Sequence, residues 1–144
     1  MRPWVQVCRE AVLDSSSIEL PGSEIESVNI DGDTVRVRFS RARIVKTMTG
    51  SVERTRWWQR GDLVMEDATV DGDLPDTPAV CAGGDVYDNV YTYRDMVPVP
   101  LETRGRTGCS LRFEGTDRRL DVSAGETRLE MEDVPKYIEH IRPG

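Results

Sequence analysis

Histidine is nearly absent from this sequence of 144 residues: His140 is its one imidazole. Serine and cysteine hydrolases generally need an imidazole to take the nucleophile's proton and return it to the leaving group. His140 lies close to the last residue, where chain order is often poor, and no GxSxG elbow accompanies it. It reads as a surface or interface histidine, and no catalytic residue is assigned. Cysteine is sparse as well. Cys8, Cys81 and Cys109 cannot all pair within one chain, and their spacing fits neither a CxxC redox pair nor a zinc ribbon. A structural zinc needs about four converging ligands, usually delivered in pairs from short turns. The expectation is free, buried thiols in a reducing compartment, with no metal and no cofactor.

Long apolar runs are missing too. No stretch approaches the roughly 18 uninterrupted apolar residues of a spanning helix. The first ten residues, from Met1 to Glu10, lack the apolar core of a secretion signal. These absences point to a cytoplasmic protein without a membrane partner. Phosphate-loop spacing is also lacking: Gly83-Gly84 and Gly105-Arg106-Thr107-Gly108 match neither GxGxxG nor GxxxxGK[ST] and read as turns. With 38% hydrophobic and 31% charged residues, the chain has enough apolar material for one core, so residues 1–144 read as a single domain.

What is present is alternation. In Val35-Arg36-Val37-Arg38-Phe39-Ser40, the apolar residues point one way and the polar ones the other, the pattern of a half-buried strand. The parity then changes, because Ala42 and Ile44 become the apolar positions. One extra residue near Ser40-Arg41 would restore the facing, so a β-bulge and a bend are expected there. Turn chemistry follows at Asp31-Gly32, Thr49-Gly50-Ser51, Arg60-Gly61-Asp62, Asp71-Gly72, Gly115-Thr116-Asp117 and Ala124-Gly125. Short strands at roughly 8–12-residue spacing argue for an antiparallel sandwich or barrel. Residues 3–13 carry helical spacing, with a strand at Trp4-Val5-Gln6-Val7 as the rival. Residues 74–85 read as a long connection. Pro98 and Pro100 confine residues 96–101 to an edge or a crossover, since each proline removes a ladder donor.

Charge is distributed unevenly. The chain carries a net −7 and holds 17 arginines to two lysines. Yet Arg36, Arg38, Arg41, Arg43, Lys46, Arg54, Arg56 and Arg60 are opposed only by Glu53 between Thr34 and Arg60. Alternation places Arg36 and Arg38 on one face and Arg54 and Arg56 on one face of the next strand, with Trp57 and Trp58 alongside. Guanidinium groups pair bidentately with carboxylate or phosphate and stack on indole rings. The patch is therefore a candidate for a small anion, an acidic protein surface or a second copy of the chain. The net negative charge disfavours nucleic acid. The plainer reading is a solvated face whose arginines pair with Glu26, Glu66, Asp67 and other acids on adjacent strands. Asp71, Asp73 and Asp76 crowd one loop, but the EF-hand ligand order is missing and turn chemistry accounts for them. Tyr87, Tyr91 and Tyr93 share strand parity with Asn89, which offers either a core face or the lining of a ligand cleft.

The Asp-Gly-Asp turn, the segment from Gly84 to Asp95 leading into Met96-Val97-Pro98-Val99-Pro100-Leu101, and the closing Lys136-Tyr137-Ile138-Glu139 together resemble small uncharacterised bacterial β-proteins. That resemblance implies an all-β fold and carries no activity. The expected architecture is an antiparallel β-sandwich or flattened barrel of about eight to ten strands, with a short N-terminal helix. The leading functional expectation is a non-catalytic binding or interaction module presenting Arg36, Arg38, Arg54, Arg56 and Trp58. The rival is a small-ligand carrier or enzyme using a cleft beside Tyr87, Tyr91, Asp95 and Glu139.

Overall fold

Val35, Val37 and Phe39 turn inward and are almost fully buried, as the alternation requires. They belong to an all-β structure, a computed structural model that describes residues 14–48, 54–72 and 74–141. Nine strands follow one another: β1 (Asp14–Asp31), β2 (Thr34–Met48), β3 (Arg54–Glu66), β4 (Thr69–Asp71), β5 (Ala79–Asp88), β6 (Tyr91–Arg94), β7 (Met96–Val99), β8 (Glu102–Phe113) and β9 (Arg119–Ile141). The helix expected over residues 3–13 and the turn at Thr49-Gly50-Ser51 lie outside the described residues. Among those residues no helix is long and apolar enough to cross a membrane.

The strands pair in the order β5-β8-β9-β3-β2-β1, all antiparallel, and two rungs between β1 and β5 close the ring, Glu24 with Val80 and Ile25 with Ala79. A closed ring leaves no second sheet to pack, so the fold is a barrel and the sandwich alternative is corrected. Its interior is filled by side chains such as Phe39, Leu63, Met65, Leu111 and Leu120. β6 flanks β5, β4 pairs with β9, and β7 pairs with β1 at the end of the path, as the prolines of residues 96–101 required.

Register breaks on β1, β2 and β9 gather around one level of the barrel. On β2, Phe39 faces Gly61 and Ala42 faces Gln59, so Ser40 and Arg41 together oppose Arg60 alone. This is the expected bulge. β1 shifts register between Glu19 and Ser27, and β9 shifts between Glu132 and Lys136. Below that belt one face carries a continuous apolar row: Val97, Ile18, Ile44, Trp57 and Tyr137, each in register with the next. The Trp57 and Tyr137 rings meet edge to face with centroids 5.2 Å apart.

Several glycines read as turns lie within strands. Arg60-Gly61-Asp62 is mid-β3, and a Cβ at Gly61 would stand 2.7 Å from the Met131 sulfur. Gly83-Gly84 belongs to β5, where a Cβ at Gly84 would meet the Ser110 carbonyl oxygen at 2.3 Å. Residues 74–85 are therefore not one long connection. Gly105 to Gly108 lies within β8 at a register shift, and Ala124-Gly125 faces that shift within β9. In these places glycine marks close approach of a neighbour or a bulge. Thr107 at the bulge and Thr127 on β9 are buried, and their hydroxyls find partners. Thr127 Oγ1 donates to Thr107 Oγ1 at 2.8 Å, and Thr107 Oγ1 donates to the Ala124 carbonyl at 3.0 Å.

Gly108 combines a φ of +148° with a hypothetical Cβ only 2.0 Å from the Val122 carbonyl oxygen. Gly108→Ala should therefore cost on the order of 2–3 kcal/mol, read as a lowered urea midpoint at constant slope.

Candidate functional site

β3 carries Arg54, Arg56, Trp58, Arg60 and Asp62 at alternate positions, so they leave one face of the strand. β2 places Arg36 beside Val64 and Arg38 beside Asp62, while β9 supplies Arg128 and Glu130 at the same rungs. The structure thus brings Arg36, Arg38, Arg54, Arg56 and Trp58 onto one outer face. Above the belt this face is paired within itself. Arg36 Nη1 donates to Asp62 Oδ2 at 2.5 Å and to Glu130 Oε1 at 3.1 Å. Arg38 lies 3.1 Å from Glu132, 3.5 Å from Asp62 and 3.8 Å from Glu26. Arg128 bonds Glu66, with Glu126 at 3.2 Å and Glu130 at 2.8 Å. Glu26 also faces Arg60 at 3.8 Å.

Two of the acids named from the sequence take part, Glu26 and Glu66. Asp67 does not join the network: it occupies a left-handed turn at φ 52° and packs against Gly125. Val64, on the charged face rather than in the core, has no exposure. Its rung neighbours are Arg36 and Arg128, whose guanidinium groups reach the carboxylates; long arginine stems commonly cover an apolar neighbour in this way.

Asp62 is the anchor, with a side chain only 3% exposed. Its Oδ1 has no hydrogen-bond partner among the described residues, so the carboxylate depends on Arg36 and Arg38 at Oδ2. The same bonds raise the Arg36 pKa, with Asp62 contributing most and Glu130 next. Arg128 is raised mainly by Glu130 and then Glu66. Glu130 is held below its ordinary 4.5, chiefly by Arg128 and then by Arg36.

Below the belt the pairing is looser. Glu19 sits between Arg43 at 3.0 Å and Arg56 at 3.3 Å, and Arg56 also bonds Glu139. The Arg41 guanidinium lies 5.9 Å from the Trp58 ring centroid. Trp58 stands in register with Lys136. Arg54 and Lys136 are exposed and have no carboxylate partner among the described residues.

The tyrosine cleft is not assembled. β5 and β6 form a hairpin with a two-residue turn at Asn89-Val90, pairing Asp88 with Tyr91 and Tyr87 with Thr92. Parity counted straight through that turn fails. Tyr91 and Tyr93 share the face of Val86, while Tyr87 projects from the other face. Val90 is 93% exposed at the tip. Tyr93 packs against the core, its hydroxyl donates to Asp88 at 3.4 Å, and burial followed by Asp88 pushes its pKa up. Asp95 accepts the Gly84 amide at 3.0 Å, and Glu139 pairs with Arg56 on β3, far along β9 from the part that meets β8. Asn89 fixes the hairpin to β8: its side chain donates to the Arg104 carbonyl at 2.8 Å and accepts the Arg106 amide at 3.0 Å. A Cβ at Gly105 would lie 2.2 Å from the Asn89 Oδ1.

Sequence reasoning did not find the cluster on the other side of the barrel, where Arg94, Arg112 and Arg119 gather around Ser110 and Asp85. These arginines come from separate segments of the chain, and only strand pairing joins them. The turn acids do not converge: Asp76 lies 3.7 Å from Arg118, and Asp73 is outside the described residues. Among the described residues no group of three or more His, Cys, Asp or Glu is placed to hold a metal ion. Cys81 and Cys109 are buried free thiols. Burial pushes Cys81 up to about 11 and raises Cys109 as well. His140 stands opposite Thr55 on β9, and its side chain is outside the described set.

Comparison with protein-family models, curated proteins and solved structures finds no match to this chain.

Arg36→Ala should destabilise the fold by about 1–3 kcal/mol, because it strips a buried carboxylate of its main donor. Arg54→Ala should stay within about 0.5 kcal/mol, and chemical denaturation separates the two. A carboxylate depressed on folding contributes stability that is present above its unfolded pKa and lost as pH falls through the folded value. Glu130→Gln should therefore flatten the stability–pH curve below pH 4.5, with little change in slope above it.

Proposed function

We propose that the chain is a non-catalytic binding module that meets an acidic protein surface through the lower part of its arginine face. One observation carries this reading. Lys136, in register with Trp58, and Arg54, two same-face positions further along β3 beyond Arg56, are without carboxylate partners among the described residues, and Trp58 also lies beside Arg41. Arginine and tryptophan are the residue types that most often dominate interface energies. Above the belt, Glu26, Asp62, Glu66, Glu126, Glu130 and Glu132 outnumber Arg36, Arg38, Arg60, Arg104 and Arg128. An acidic partner is repelled there and drawn to the lower end, where unspent cations remain. The cleft reading has less support, since Tyr87, Tyr91 and Glu139 stand apart.

The structure also alters the choice of variant. Charge reversal at Arg36 would strand Asp62 and confuse lost binding with lost folding. Arg54→Glu with Lys136→Glu changes only exposed groups. Fluorescence anisotropy with a labelled oligoglutamate peptide should show salt-sensitive binding by the native protein, weakened roughly tenfold or more in the double variant at an unchanged urea midpoint. Equal binding by both proteins, or none by the native protein at low salt, would refute the proposal.

A further inference from the structure

The strand pairing builds a second polar surface that the acidic-partner reading does not use. Arg94 on β6, Asp85 on β5, Ser110 on β8 and Asp121 on β9 stand in register, so they leave the sheet on one outer face. Arg112 and Arg119 form the next rung on that face. Between them lies a cavity of about 310 Å³ lined by Gly84, Asp85, Arg94, Ser110, Arg112 and Arg119. Three guanidinium groups and one carboxylate therefore line a recess in a protein of net charge −7.

We infer that this recess binds a phosphate monoester of a small polar molecule. The arginines are oriented but not spent. Arg119 Nη2 donates to Ser110 Oγ at 2.7 Å, and Ser110 Oγ donates onward to Asp121 Oδ1 at 2.6 Å. Arg112 Nη2 lies 3.6 Å from Asp95, and Arg94 Nε lies 3.3 Å from Asp85, both long for charge-assisted bonds. A guanidinium carries five N–H donors, so each retains several for an oxyanion. The backbone is cut back where Arg112 crosses β5: a Cβ at Gly83 would lie 2.6 Å from Arg112 Nη2. Gly84 and Ser110 leave the recess without bulky side chains. A tetrahedral dianion placed there accepts from three directions at once, the geometry guanidinium forks serve best. The recess is larger than a bare phosphate needs. Asp85 accepts from a hydroxyl of the organic part, and Tyr87, two positions along β5 on the same face, gives that part a ring to lie against.

The test is calorimetric titration of the intact protein with inorganic phosphate, glycerol 3-phosphate and glycerol at constant ionic strength. Saturable binding is expected for glycerol 3-phosphate, weaker binding for inorganic phosphate, and none for glycerol. Arg112→Gln with Arg119→Gln should weaken glycerol 3-phosphate roughly tenfold or more. Arg94→Gln alters a side chain 77% exposed on an edge hairpin, so its several-fold loss remains readable if the double variant fails to fold. The Arg54→Glu, Lys136→Glu protein should bind glycerol 3-phosphate like the native chain, so the two proposals stand or fall separately. No saturable heat up to ~10 mM would overturn the inference, as would unchanged affinity in Arg94→Gln. Equal affinity for the two phosphates would overturn the monoester assignment.

Discussion

A strand has two faces, and a slip of one residue exchanges them. The barrel depends on making that slip in adjacent strands at one level. Ser40 and Arg41 on β2 take up one residue of difference against β3, and β1 and β9 shift alongside. Without the slip, Ala42 and Ile44 would face solvent and Arg43 would enter the core. With it, Val35, Val37, Phe39, Ala42 and Ile44 all reach the interior, and the arginines above and below the belt share the exterior. The charged face is a product of this register correction as much as of composition.

Electrostatics on that face follow from burial. Asp62 is removed from water and leans on two guanidinium groups, which are also shared with Glu130 and Glu132. Exposed ion pairs contribute little, but a buried carboxylate that loses its donors is costly. The upper network therefore ranks as architecture, with Arg36 and Arg128 acting as counter-ions on either side of the buried Val64. Below the belt and around the recess on the opposite wall, by contrast, cations remain that no carboxylate among the described residues fully engages.

Local patterns in the chain were readable. Alternation from Val35 to Ile44 located a strand, its facing and its bulge, and Pro98 put β7 at an edge. Glycine was misleading, because the sequence does not distinguish a glycine that turns the chain from one that admits a neighbour. Gly61 makes room for Met131, Gly84 for the β8 backbone and Gly105 for Asn89. The arginine face was legible as a surface, since its members lie close together in the chain. Its neutrality was less so, because Glu130 and Glu132 arrive from a distant strand. The recess was invisible for the same reason: Arg94 and Arg119 become neighbours only when β5 and β8 lie between them.

The side-chain amide of Asn89 fills the space a β-carbon at position 105 would need, while bonding the backbone on either side of it. Neither residue has a substitute that leaves the other unaffected. A larger residue at 105 evicts the amide, and a shorter one at 89 leaves the carbonyl of Arg104 and the amide of Arg106 to solvent. Across diverging versions of this chain the two positions would be inherited as a couple, and a change at one would persist only alongside a compensating change at the other.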